Sequence, residues 1–295
     1  MSNKAVYIHT NGTELSDKTK ELLRSKLERS GFTVLSEFKT DAELAICVGG
    51  DGAFLDAVHK FGFPPVPFIG INTGHLGFFQ EILPEQLDEF IFNYKQGKYS
   101  LQPLSTVKAE VVDGRISGND SSFSGPRTVL SSGERKMSFV PETLETAEFR
   151  ALNEVLIKSA HSRSIHLNIS IGGSFIERFS GDGILVATSA GSTGYNYSLG
   201  GSIVDPRLKL LQVTPIAPMN TTAYRSFTSS ILLPSDMTIG IIPESENAEL
   251  CVAVDGIEYK YDNIKEINIS MAETFVNLLR FEGYDFWNKV KTKFL

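Results

Sequence analysis

The turn Gly49-Gly50-Asp51-Gly52 carries the densest chemical signal in the chain. Its three glycines let backbone N–H groups close on a phosphate. The apolar run 44–48 before it reads as a strand, and the stretch 53–61 after it reads as a helix whose N-terminus adds partial positive charge. Asp51 is the odd member, because a carboxylate among phosphate-cradling amides repels the ligand beside it. An acid kept at such a place suits taking a proton from an attacking hydroxyl. The chemistry to expect is phosphoryl transfer, with Asp51 as the base.

A second dense stretch is Gly181-Asp182-Gly183, a strand, and then the run from Ala190 to Gly201, which holds Thr193, Gly194, Tyr195 and Ser198. Hydroxyls and amides there can pair with the edges of a base, and Tyr195 can stack or donate. The plainer reading is a decorated tight turn in a β domain. A third is Asn153-Glu154, which opens the apolar run 155–157. An amide beside a carboxylate offers ribose hydroxyls a donor and an acceptor together, although a solvated strand start has the same composition. Neither a Gly-x-x-x-x-Gly-Lys-Ser/Thr phosphate loop nor a Gly-x-Gly-x-x-Gly fingerprint occurs, and no Cys/His cluster has zinc spacing.

The elements that must hold these residues change character along the chain. In 1–103, apolar runs at 5–9, 32–35, 44–48 and 66–71 alternate with helical patterns, one with Leu15, Leu22, Leu23 and Leu27 on a face, another starting at Pro84. That alternation predicts a mostly parallel α/β sheet, in which ligands bind beyond the carboxyl ends of strands. From 104 to 271, short β-branched runs at 106–112, 155–158, 165–171, 184–188, 231–233, 237–242, 250–254 and 264–269 predict an all-β domain. The Ser/Gly/charged stretch 113–146 interrupts it and reads as a long mobile loop or hairpin. An aromatic tail, 272–295, needs a surface to bury on, either the first domain or a neighbouring subunit.

A hydrophobic share of 41% with 21% charged residues is that of a soluble globular protein, and the net charge of -7 weighs against nucleic acid as a partner. No apolar run reaches the length of a membrane span, and 5–9 is too short for a secretory core. Cys47 and Cys251, both in strand-like runs, read as buried thiols of a cytoplasmic protein.

Taken in order, Gly49-Gly50-Asp51-Gly52, Asn72-Thr73-Gly74-His75-Leu76-Gly77-Phe78, Ala151-Leu152-Asn153-Glu154, the 181–201 block and Val254-Asp255-Gly256 resemble the NAD kinases, in their Gram-positive bacterial type, over about residues 1–290. The resemblance implies a Rossmann-like α/β domain and a β-sandwich-like domain with the active site in the cleft between them, in a homodimer or homotetramer. It implies transfer of the γ-phosphoryl of ATP to the 2′-hydroxyl of the adenosine ribose of NAD, with magnesium accompanying ATP. Asp51 would be the general base, and Gly50 and Gly52 would give amides to phosphates. Phe78 would pack on a base. Asn153, Glu154 and Asp182 would hold adenine and ribose groups, and Thr193, Gly194, Tyr195 and Ser198 would shape the adenine pocket. Asp255 would be a further acid near the ligand.

Two departures stand out. Ser180 replaces an arginine common in the family, a charge that Arg178 could supply. The family's Thr-Pro-Thr-Gly-Ser-Thr-Ala-Tyr reads Thr188-Ser189-Ala190-Gly191-Ser192-Thr193-Gly194-Tyr195, and losing the proline should loosen the turn. The rival readings are a lipid or sugar kinase sharing the 49–52 turn, and a non-catalytic NAD(P)-binding sensor.

Overall fold

The computed structural model describes residues 4–75, 77–112, 127–129, 145–222, 225–245 and 248–295. In chain order it begins with β1 (Ala5–Thr10), α1 (Glu14–Arg29), β2 (Thr33–Leu35), β3 (Leu44–Gly49) and α2 (Asp51–Lys60). Next come β4 (Phe68–Asn72), β5 (Gln80–Ile82), α3 (Leu87–Lys95), β6 (Tyr99–Val112), β7 (Arg127–Val129), β8 (Glu145–Ala151) and β9 (Glu154–Ser159). These are followed by β10 (Ile165–Ile171), β11 (Ser174–Gly181), β12 (Gly183–Thr188), the single turn α4 (Tyr195–Ser198), β13 (Leu210–Ile216) and β14 (Ile231–Pro234). The chain closes with β15 (Ile239–Pro243), β16 (Leu250–Val254), β17 (Ile257–Tyr261), β18 (Glu266–Phe281) and α5 (Phe286–Phe294). It divides into two compact units, 1–104 with 274–295, and 105–273. The chain passes from one to the other twice, inside β6 and inside β18.

The first unit is a parallel sheet in the order β2-β1-β3-β4, with β5 and the end of β18 both pairing with β4. Its core joins Val6 and Ile8 of β1, Ile46 and Val48 of β3 and Ile69 and Ile71 of β4 to Leu23, Leu27, Phe90 and Ile91 of the helices. β1 and β3 are neighbours whose chains then run to opposite sides of the sheet. That makes their carboxyl ends a topological switch point, where sheets of this kind open a ligand crevice. The 49–52 turn lies there. The face of α1 differs from expectation. Its buried residues are Ser16, Thr19, Leu23 and Leu27, while Leu15 and Leu22 are exposed. A helix advances about 100° per residue, so with the buried stripe centred on Thr19, Leu23 and Leu27, Leu15 and Leu22 fall roughly a quarter turn to one side of it. Thr13 caps α1 by accepting from Ser16 N, and Asp285 caps α5 by accepting from Trp287 N and Asn288 N.

The second unit is built of antiparallel strands. One set runs β11-β10-β15-β18, with β6 pairing β8 and β8 pairing β7; the other is the six-stranded sheet β14-β13-β12-β9-β16-β17. Val155, Ile157, Ile184, Val186 and Val252 of the six-stranded sheet pack with Leu167, Ile169, Phe179, Ile239, Ile241 and Ile267 of the other in a sandwich-like core. Of the expected 113–146 excursion, 127–129 form β7 and 145–146 start β8; its remaining residues, 113–126 and 130–144, lie outside the described residues, as does Leu76 of the second glycine block. Among the described residues no helix is long and apolar enough to cross a membrane.

Candidate active site

In the first unit the site is a carboxylate held by its neighbours' backbone. Gly50 is the cap of α2 and Asp51 its first residue, so the Asp51 charge sits in the first turn, where the helix dipole favours an anion. One carboxylate oxygen accepts from Phe78 N at 2.9 Å and the other from Phe79 N at 3.0 Å. Each oxygen keeps further acceptor capacity, which a proton-accepting base needs. Gly77 makes the approach possible, because a Cβ there would stand 2.2 Å from Asp51 Oδ1. Nothing in the sequence pattern marks that role; the glycine is legible as a turn residue only. The carboxyl ends of β1 and β4 reach the same place. Thr73 N donates to Gly49 O at 3.2 Å, and the Ser16 and Thr73 hydroxyls are 2.7 Å apart.

Behind Asp51 stands a charged network that the sequence did not disclose. Gln80, 2% exposed, donates from Nε2 to Gly50 O at 2.7 Å. Lys289 of α5 donates to Gln80 O, and Arg280 of β18 pairs with Glu81 at 3.1 Å. Burial first, and then Arg280, pull the Lys289 ammonium down to about 8, while Glu81 and Asp51 oppose the shift. The base-stacking role expected of Phe78 is not available in this structure. Its ring is 6% exposed, lies 5.8 Å from the rings of Phe286 and Phe294, and has the Lys293 ammonium 4.8 Å over it. The aromatics of α5 bury the ring.

In the second unit the site lies where β9 begins and β12 ends, since Glu154 pairs with Ala187. Asp255 has φ +47 and gives its carboxylate to three amides, Leu152 N at 2.7 Å, Asn153 N at 2.7 Å and Glu154 N at 3.1 Å. It therefore shapes the 152–154 turn. Asn153 Oδ1 and Glu154 Oε2 are buried and have no hydrogen-bond partner among the described residues. Burial, with Asp255 adding its charge, raises the Glu154 carboxyl to about 8. At neutral pH the group is protonated and can donate as well as accept. Buried polar atoms without partners are rare, and a pair of them on adjacent residues suits a polar ligand.

Gly194 adjoins this pair; a Cβ on it would lie 3.6 Å from Glu154 Oε2 and 3.9 Å from Asn153 Nδ2. Next to it Tyr195 is 46% exposed, Ser198 is exposed and Thr193 is buried. The turn without its proline is pinned, contrary to expectation. Thr188 Oγ1 donates to Leu152 O at 2.6 Å and accepts from Gly191 N at 3.1 Å, and Thr188 N donates to Asn153 O at 2.8 Å. Asn196, a residue the motif reading passed over, locks the other side by accepting from Thr214 Oγ1 at 2.7 Å and donating to Ser192 O.

Asp182 is not brought to Asn153 and Glu154. It precedes Gly183, which pairs with Lys158 at the far end of β12, so about five residues of strand, on the order of 17 Å, separate it from the Ala187–Glu154 pair. Arg178 does not stand in for the missing arginine either, because Glu244 engages it at 2.6 and 3.0 Å.

The whole chain has clear relatives. Residues 8–99 match the family model for the ATP-NAD kinase N-terminal domain, and 152–281 match that for the C-terminal domain. It is 35% identical to the NAD kinase of Finegoldia magna over 100% of this chain and 99% of the relative. With the NAD kinase of Streptococcus pneumoniae it shares 33% identity over 100% and 97%. This chain belongs to the NAD kinase family. It is thus an NAD kinase enzyme, a transferase that binds NAD and ATP, and the comparisons do not favour the lipid- or sugar-kinase alternative. Solved structures agree in fold. Yeast NADH kinase complexed with NADH has a TM-score of 0.76 at 20% identity, covering 98% of this chain and 86% of that one. An NAD kinase from Archaeoglobus fulgidus in complex with ATP has a TM-score of 0.70 at 23% identity, covering 98% and 99%.

Proposed function

We propose that this enzyme moves the γ-phosphoryl group of Mg-ATP to the 2′-hydroxyl of the adenosine ribose of NAD, with Asp51 accepting the proton of that hydroxyl. The observation that carries the reading is the Asp51 carboxylate, fixed by the Phe78 and Phe79 amides at the switch point of a parallel sheet. Phosphoryl transfer has a loose transition state, so positioning and charge neutralisation do most of the work. Asp51 orients the hydroxyl and takes its proton as the O–P bond to the new phosphate forms and the bond to the β-phosphate oxygen breaks. Amides of Gly50 and Gly52 at the start of α2 face the phosphates. Asn153 and Glu154 hold NAD, because their unpartnered oxygens suit hydroxyl and amino donors. Gly194 leaves room beside them, and Tyr195 and Ser198 form the exposed rim.

Magnesium enters with the triphosphate as part of the donor. Among the described residues no three His, Cys, Asp or Glu side chains are grouped to hold a metal ion. The enzyme works in the cytoplasm, a reading that rests on two buried free thiols, Cys47 and Cys251. It works as a homodimer or homotetramer, for which exposed Phe175, Ile176 and Ile242 offer apolar surface.

A coupled assay for NADP, with NAD, ATP and magnesium, tests the reading. Asp51→Asn should lower kcat by about 10²- to 10⁴-fold, the range of a lost general base, while calorimetry still detects NAD. Near wild-type turnover in that variant would remove Asp51 from the base role.

A further inference from the structure

We propose that the C-terminal helix α5 is a working part of the catalytic centre, with Lys289 as a positioning residue that holds the 78–81 segment and, through it, the Asp51 carboxylate. The inference rests on Asp51 being the base.

The contacts form a chain with no gap. Lys289 Nζ donates to Gln80 O, and the side chain of the same Gln80 donates to Gly50 O at 2.7 Å. The two residues before it, Phe78 and Phe79, supply the amides on Asp51. Gln80 is thus gripped from α5 on one side and grips the glycine turn on the other. Arg280 fixes the ends of the segment. Its Nη2 donates to Phe78 O at 3.4 Å and to the Tyr284 hydroxyl at 2.8 Å, and its Nη1 meets Glu81 Oε2 at 3.1 Å. Glu81 Oε1 in turn accepts from Phe281 N at 2.9 Å. The rings of Phe286 and Phe294 then press on Phe78 from the same helix. A displacement of α5 would pass directly to both amides that aim Asp51. Misplacement of a reacting group by about 1 Å costs on the order of 10²-fold in rate.

Lys289 is also the member of this chain that can lose its charge near neutral pH. Facing it are Asp51 from α2, Glu81 from β5, Arg280 from β18 and Lys293 on its own helix, with the Tyr284 ring 5.3 Å away. A cavity of about 330 Å³ beside it adds Glu89, Glu282 and Asp285. Burial and Arg280 outweigh these acids and bring the ammonium to about 8. Above that pH the charge is lost and the bond to Gln80 O weakens.

The test compares wild type, Lys289→Met and Lys289→Arg in the NADP assay across about pH 7 to 10, with Asp51→Asn run beside them. The wild-type kcat should fall through about pH 8. Lys289→Met should lower kcat by about 10- to 100-fold at pH 7 with KM for NAD changed by less than about threefold, and should lose that fall. Lys289→Arg should recover most of kcat and hold it past about pH 9, because a guanidinium keeps its proton there. Hydrogen exchange at the Phe78 and Phe79 amides should quicken in the Met variant.

A Met variant with wild-type kcat and pH profile overturns the proposal. So does an Arg variant that keeps the wild-type fall, and this comparison decides alone if the Met variant does not fold. Should Asp51→Asn keep its turnover, the base assignment fails on its own account; should it be inactive while Lys289→Met is not, the brace fails and the base stands.

Discussion

Two acidic side chains, one in each unit, are treated in opposite ways. Asp51 has each oxygen on a backbone amide and sits at a helix N-terminus. Glu154 has a buried oxygen with no partner among the described residues and a carboxyl raised to about 8. The first arrangement fixes where a proton acceptor points. The second leaves hydrogen-bonding capacity in reserve for a ligand and disfavours the charge. The contrast shows how a fold separates an acid that does chemistry from one that recognises. Asp255 sharpens it, since that acid uses its carboxylate on three amides so that Asn153 and Glu154 need not use theirs.

The largest break in this comparison should come from Gly77→Ala. Its Cβ would stand 2.2 Å from Asp51 Oδ1 and 2.6 Å from Cγ, so either the carboxylate or the 77–79 backbone must move. A fall of about 100-fold in kcat is expected, with a smaller change in KM for NAD. Equal losses in Gly77→Ala and Gly74→Ala would contradict it, because a Cβ on Gly74 meets nothing within 4 Å.

How much of this could be read beforehand differs between the units. In the first, β3, the 49–52 turn and α2 are neighbours in sequence, and continuous apolar strands mark a parallel sheet, so the switch-point turn was legible. The grip on Asp51 was not, because it comes from 27 and 28 residues away and depends on a glycine whose neighbour is known only after folding. In the second unit, the motifs at 151–154 and 190–195 do meet. Asp182 comes from the resemblance alone, and within this chain β12, running between Gly183 and Thr188, carries its two ends apart. β13 was hidden by the polar Gln212 and by Pro215. Gln212 is fully buried and bonded to Ser202 in both directions, and Pro215 lies beyond the stretch paired with β14. The end of β18 reads as part of an aromatic tail, because exposed Phe275 interrupts its apolar alternation.

A milder break is Asp255→Asn. Asparagine tolerates the positive φ and keeps the side-chain shape, so backbone strain is unchanged. Its NH₂ group must face at least one of the three amides. Leaving a buried donor unsatisfied costs about 1–3 kcal/mol, which corresponds to a Tm lowered by roughly 2–5 °C in a protein of this size. KM for NAD should rise as the 152–154 turn relaxes. A variant with unchanged Tm and KM would mean that the turn holds its shape without Asp255.

The last break tests the Glu154 half directly. The carboxyl goes from an ordinary 4.5 in the unfolded chain to about 8 in the folded one. Between those values the folded chain keeps a proton that the unfolded chain has released. Stability from this group is therefore greatest at low pH, falls as pH rises from about 4.5 to about 8, and levels off above that. Glu154→Gln removes the titration while keeping a neutral side chain of the same shape. Its Tm relative to wild type should change little near pH 5 and gain several degrees by pH 8–9, while KM for NAD rises because a carboxyl O–H that can donate and accept becomes an NH₂ that only donates. Comparing the two proteins at each pH cancels the titration of every other group, so the slope of the difference belongs to Glu154. A difference that does not change with pH would mean that Glu154 is charged in the folded chain, and the contrast with Asp51 would then disappear.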